Sequence, residues 1–287
     1  MPVQDLKQLY LKNGLAEMLR GIGRFFYFNT PIRDIRSRLL LQDGGSIITC
    51  SIGSASAQFN VTNWAELDRF DTAFGLAELS EQSVIESLLE DIEDDTIFYD
   101  VGANVGLYTC LVGNMLESGS VHAFEPHPTN ISRLQQNIEL NNLAEVAEVH
   151  DFALSDSSGE FDLAVRVSSE AAEGRHSLVV DSDIGETVPV STYSGDHLVG
   201  SELQVPDVIK IDVEEAEYRV VQGLNDTIRK YKPIIYCELH IDQLEQDGVS
   251  VDSVINQLTD VGYDIESLYE RTSSTKFIKA VPDRDRK

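Results

Sequence analysis

Positive charge is what this sequence has least of. Its 287 residues carry 49 Asp and Glu against 22 Lys and Arg, a formal charge of -27. Lysines stand only at Lys7, Lys12, Lys210, Lys230, Lys232, Lys276, Lys279 and Lys287. Nucleic-acid binding needs clustered cations to neutralise phosphates, so that class of partner is disfavoured. Self-repulsion of this size is screened at high salt, and an acidic, lysine-poor chain is expected from a halophilic source. Cysteine is scarce too: Cys50, Cys110 and Cys237 lack metal-ligand spacing, and the last two, in apolar surroundings, read as reduced core residues. No apolar run reaches the length of a membrane span, and the N-terminus shows no signal-peptide core. The expected compartment is the cytoplasm.

What is present is a globular composition, 42% hydrophobic, sufficient for one large domain or one domain with an appendage. The chain is organised around residues 96–106. A β-branched and aromatic run, Thr96-Ile97-Phe98-Tyr99, stops in Asp100-Val101-Gly102-Ala103-Asn104-Val105-Gly106, and a helical pattern follows from Leu107. A buried strand that turns through glycines into a helix brings backbone N–H groups close to a ligand. An acidic residue about 20 positions on, at the next strand's end, suits ribose hydroxyls, and Glu125 closes Ser120-Val121-His122-Ala123-Phe124. The turn is Gly-x-x-x-Gly rather than the dinucleotide Gly-x-Gly-x-x-Gly, and a carboxylate at Asp100 would repel a pyrophosphate. Asp100, Glu125 and the glycines therefore favour S-adenosyl-L-methionine, whose ammonium and ribose both seek acidic partners. Tight strand-to-helix packing is the plainer reason for the same glycines.

Further strands are expected at residues 146–149, 208–212 and 233–239, alternating with helices at 80–92, 128–140, 216–230 and 251–258. A last hairpin, 265–269 with 277–281, closes the chain. This alternation predicts an α/β fold with a mostly parallel sheet and helices on both faces, ligands lying at the carboxyl ends of the strands. The charged residues Asp100, Glu125, Asp151, Lys210, Asp212, Glu238 and His240 all stand at such ends. Residues 1–79 read as a variable lead-in to a domain spanning 80–287. The lead-in holds an amphipathic helix through Leu6, Leu9, Leu15 and Met18, and a hairpin of residues 46–50 and 57–61. Its basic, aromatic stretch at 20–38 suits either peripheral contact with a membrane or substrate carrier, or a joint against the main domain. Between 155 and 190 lies polar, irregular material with two short strands.

Six segments in order resemble the FkbM-type methyltransferases, a family with the class I methyltransferase (Rossmann-like) fold. They are Asp100-Val101-Gly102-Ala103-Asn104-Val105-Gly106, Ala123-Phe124-Glu125-Pro126, Asn137-Ile138-Glu139-Leu140-Asn141, Ala153-Leu154-Ser155-Asp156, Ile209-Lys210-Ile211-Asp212-Val213-Glu214 and Glu238-Leu239-His240. The resemblance implies a mostly parallel seven-stranded sheet ending in an antiparallel hairpin. It also implies an S-adenosylmethionine-dependent enzyme acting on a sugar, glycolipid or small hydroxylated metabolite. On it, Asp100, Gly102, Asn104 and Gly106 belong to the methionine end of the cofactor site, Glu125 to the ribose, and Asp151 with Phe152 to the adenine. Lys210, Asp212, Glu214 and His240 would border the acceptor. One departure stands out: Glu215 occupies a position where the family usually has glycine.

Removing a hydroxyl proton calls for a base, and Asp212 or His240 could serve. His240 could equally be an orienting or core histidine, and Lys210 could simply pair with Asp212 or Glu238. His122, Asp156 and His176 show no ligand spacing, so no metal site is expected there, while a divalent ion among Asp212, Glu214 and Glu238 stays open. Two other readings stay open: a methyltransferase-like binding module without turnover, suggested by Glu215, and an NAD-dependent oxidoreductase with Glu125 on the nicotinamide ribose.

Overall fold

Alternating burial builds the first two strands. In β1 (Ser46–Ile52) and β2 (Ala55–Val61), every second residue turns inward, and Gly53, at φ 56°, carries the turn between them. This is the hairpin expected from the sequence, slightly longer in both strands. The computed structural model describes residues 41, 45–70, 79–165, 176–177, 187–213, 216–246, 248–270 and 274–283. The lead-in helix, the basic aromatic stretch, Glu214 and Glu215 lie outside them.

The chain continues through α1 (Trp64–Phe70), α2 (Leu79–Leu89), β3 (Ile97–Val101), α3 (Leu107–Gly113), β4 (Ser120–Phe124), α4 (Pro128–Leu140), β5 (Ala147–His150), β6 (Ala153–Ser155), β7 (Gly159–Val165), β8 (His176–Ser177) and β9 (Thr187–Ser194). There follow α5 (Gly195–Leu198), β10 (Val208–Ile211), α6 (Glu217–Gly223), α7 (Asn225–Tyr231), β11 (Ile234–His240), α8 (Ile241–Gln246), α9 (Val251–Asp260), β12 (Tyr263–Glu270) and β13 (Thr275–Pro282). Seven strands form the main sheet in the order β5-β4-β3-β10-β11-β13-β12. Its first five run parallel, and β13 lies antiparallel to both β11 and β12. The fold is thus the expected class I methyltransferase arrangement, with the terminal hairpin built into the sheet.

Both faces are covered because the parallel strands are apolar on both sides. Phe98 points into a cluster with Phe59, Leu67, Phe70, Leu88, Leu111 and Leu134, so the hairpin and α1 share a core with the main domain. Its neighbour Tyr99 points the other way, toward Ile209, Val221, Leu224 and Leu258. Asn141 and Asn137 of this first face accept hydrogen bonds from the Gln58 and Asn60 backbone N–H groups at 2.8 and 3.0 Å, tying β2 to α4.

Two features depart from the sequence reading. The helix expected over 216–230 is two helices meeting at Leu224. Gly223 lies so close to the Ser155 carbonyl that a Cβ would sit 1.8 Å from it, which pins the helix to β6 at that point. The polar stretch after residue 153 forms a second sheet of four strands, β6-β9-β7-β8. Among the described residues no helix is long and apolar enough to cross a membrane.

Candidate active site

The loop after β3 is fixed by hydrogen bonds on three sides. Gly102 and Ala103 N–H both donate to the Phe124 carbonyl at 3.0 Å, and Asn104 N–H donates to Glu125 Oε2 at 2.9 Å. From α4, Asn137 Nδ2 donates to the Val105 carbonyl at 2.8 Å. Gly102, Asn104 and Gly106 all take left-handed backbone, at φ 80°, 51° and 91°. A Cβ on Gly102 would lie 1.9 Å from the Asp212 carbonyl, and one on Gly106 would lie 2.6 Å from Leu134 Cδ1. Packing therefore demands both glycines, whatever else the loop does.

Beneath the loop lies a buried ion cluster. Asp100, fully buried, accepts from Thr109 N–H at 3.0 Å and from its hydroxyl at 2.7 Å. Its other oxygen pairs with Lys210 Nζ at 3.2 Å. Lys210 also donates to the Gly102 carbonyl at 2.9 Å, lies 3.7 Å from Asp212 Oδ2 and sits 5.1 Å from the centre of the Tyr108 ring. Burial alone would push this ammonium toward neutrality, but Asp100 and Asp212 hold its proton more tightly than usual. The same lysine, with His240 and Arg69, keeps Asp212 ionised below the ordinary carboxylate range against the pull of burial. The sequence pattern puts Asp100 against the cofactor's methionine end. In the structure one of its oxygens accepts from Thr109 and the other pairs with Lys210, which in turn donates to the loop's Gly102 carbonyl. Lys210 pairs with Asp212, one of the two partners expected, and with Asp100.

At the end of β11, His240 Nδ1 donates to Glu217 Oε1 at 2.6 Å. Glu217, on α6, is fully buried. Burial disfavours the charged imidazole, yet the hydrogen bond and charge of Glu217, with Asp212 and Glu238 beyond it, raise its pKa to about 9. Asp212, Glu238 and His240 bring their polar atoms within 4.8 Å of one another. Two strand ends distant in sequence thus form one half-buried cluster, as the sequence pattern anticipates.

Glu125 holds the opposite side of the loop. Its carboxylate accepts from Asn104 N–H and, at 2.8 Å, from His127 N–H, while burial raises its pKa despite these bonds. Asp151 is exposed beyond β5, and Phe152 stands between Phe124 at 5.7 Å and Tyr193 at 4.8 Å, ring centre to ring centre. Glu217 and Thr109 escaped the sequence reading. Glu217 stands three and four residues before the buried Val220 and Val221, so an acid on the inward face of that helix was the available signal.

The Methyltransferase FkbM domain description matches residues 100–265. The hexuronic acid methyltransferase AglP of Haloferax volcanii is 32% identical over 209 residues, 72% of this chain and 80% of that protein. The 31-O-demethyl-FK506 methyltransferase FkbM of Streptomyces tacrolimicus is 25% identical over 163 residues, 47% of this chain and 62% of that protein. A crystal structure of the methyltransferase FkbM from Methylobacillus flagellatus aligns with a TM-score of 0.49 and 16% identity, over 76% of this chain and 53% of that one. On the family match, which begins at Asp100 and takes in the glycine loop, Glu125 and the Asp212–His240 cluster, the chain belongs to the FkbM family of methyltransferases.

Proposed function

We propose that this protein moves a methyl group from S-adenosylmethionine to a hydroxyl of a sugar, with a hexuronic acid, free or lipid-linked, as the leading acceptor. The observation that carries this reading is the likeness to a hexuronic acid methyltransferase over four-fifths of that protein's length. Residues 80–287 form the methyltransferase domain and residues 1–79 its lead-in, from which Arg69 brings positive charge to Asp212. A salt-rich cytoplasm suits the acidic composition. The nicotinamide alternative gains nothing from the family match.

The residues present fit the donor. The loop has glycines and left-handed backbone where a ligand would approach, and Glu125 presents a carboxylate beside it at the end of β4. Glu125 would take the ribose hydroxyls, Asp151 and Phe152 the adenine, and the loop at Gly102, Asn104 and Gly106 the methionine end. Asp100 and Lys210 set the loop's position. The donor, when bound, supplies an electrophilic methyl group on a positively charged sulfur. Asp212, kept ionised, accepts a hydrogen bond from a neighbouring hydroxyl of the sugar and so orients the reacting one, whose own proton points to His240. His240 takes the proton at Nε2 when that nitrogen is unprotonated, because Glu217 already holds Nδ1–H. Glu217 fixes the ring and stabilises the imidazolium that results.

The test is release of S-adenosylhomocysteine by the full chain in molar potassium chloride, with glycans ending in hexuronic acid or in a neutral hexose. Release with the uronate, and much less with the hexose, is expected. Donor binding without release on any glycan would favour the binding-module reading that Glu215 suggests. Absence of donor binding would end both.

A further inference from the structure

One set of metal-binding side chains plays no part in the site above. His122 lies in the middle of β4, and Glu148 and His150 lie on β5. The parallel register pairs His122 with Glu148 and Phe124 with His150, so the alternation of the strands puts all four on one face. His122 Nδ1 is 3.0 Å from His150 Nε2 and 3.6 Å from Glu148 Oε2, and the three atoms all lie within 4.8 Å of one another. For ligands about 2.1 Å from a tetrahedral ion, the ligand-to-ligand edge is roughly 3.4 Å. The two measured edges fall either side of that value. We propose that His122, His150 and Glu148 form a binding site for one divalent transition-metal ion of the zinc or cobalt type.

Three further observations support it. Gln204 Oε1 lies 3.2 Å from His122 Nε2 and accepts from the Ser120 hydroxyl at 2.6 Å. An amide oxygen only accepts, so Nε2 of His122 carries the hydrogen and Nδ1 presents its lone pair to the other two groups. That is how an outer partner orients a metal-binding histidine. Gln204 is itself fastened, since its carbonyl accepts from the Tyr99 hydroxyl at 2.5 Å. Both rings are also buried, in surroundings that disfavour a charged imidazolium and leave the neutral form that ligates. Finally, the Glu148 side chain is 66% exposed while the histidines are buried, so an ion can enter from solvent and keep water as its fourth ligand. Two imidazoles and one carboxylate suit zinc, cobalt, nickel or copper, whereas magnesium and calcium favour all-oxygen sites.

A hydrogen-bond chain from Gln204 through His122 to His150 would explain the histidines without an ion, but it leaves Glu148 no role. The experiment uses the full chain without a purification tag, stripped with a chelator and titrated with cobalt(II) alone. One ion per chain is expected, with the visible bands of tetrahedral cobalt, lost on adding one equivalent of zinc(II). His150→Phe, which keeps the ring stack on Phe124, should abolish binding. Glu148→Ala, at an exposed side chain that folding does not require, should weaken it at least tenfold, and Gln204→Ala should weaken it about 10–100-fold. Zinc should raise the melting temperature of the wild type but not of His150→Phe. No binding, or an octahedral spectrum, would overturn the proposal. So would binding that Glu148→Ala and His150→Phe leave intact, which would belong to Asp212, Glu238 and His240 instead.

Discussion

His150 and His240 occupy matching places, each the last residue of a parallel strand and each largely buried, yet their charges are set in opposite directions. His240 donates to the buried carboxylate of Glu217 and is raised to about 9. His150 faces another imidazole, and burial lowers it to about 4. Burial pushes both the same way, so the partner behind the ring decides the outcome. The difference separates the two ends of the sheet. Around β10 and β11 every described buried charge has an opposite charge within reach, which suits proton transfer. Around β4 and β5 the two buried imidazoles face each other, and the carboxylate beside them, Glu148, is exposed.

If that contrast is functional, substitutions at the two ends should diverge. His240→Gln keeps a hydrogen bond to Glu217 but cannot take a proton, so the methylation rate should fall about 10²–10⁴-fold. Steady-state kinetics with saturating donor would read it. Lys210→Met leaves Asp100 buried with only Thr109 as partner, and breaking such a pair costs about 3–5 kcal/mol. A shift below 1 kcal/mol in denaturant unfolding would show that the cluster is not held by that charge. At the other end, His150→Phe should leave the methylation rate within about twofold of wild type, since the proposed mechanism does not use His150.

Stability against pH sharpens the same contrast. His240 has a raised pKa, so the stability it contributes is fully present below about 6.5 and is lost as pH rises through about 9. His150 has a lowered pKa, so its contribution is present above about 6.5 and is lost as pH falls through about 4. Thermal melts across pH should show His240→Gln flattening the alkaline loss and His150→Phe the acid one.

The sheet could be read from the sequence because its strands are short apolar runs ending in charge. Residues 208–212 and 233–239 announce both the strand and the site at its end. The glycine loop was legible for the same reason, since a turn between strand and helix needs left-handed backbone. What the sequence hid depends on register. His122 and His150 meet only because β4 and β5 pair with Phe124 opposite His150. The pairing of Asp100 with Lys210, 110 positions later, was hidden in the same way, because it follows from β10 lying beside β3. The four-stranded sheet was obscured by its polar, partly exposed strands, which give alternation without a clear apolar face.

The account depends most on His240 being the proton acceptor and on Glu217 setting its affinity. The direct measurement is the methylation rate against pH for the wild type and for Glu217→Gln. The wild type should rise to a plateau with an apparent pKa near 9, and Glu217→Gln should move that midpoint down toward 6.5. A midpoint that stays in place when Glu217 loses its charge would contradict it.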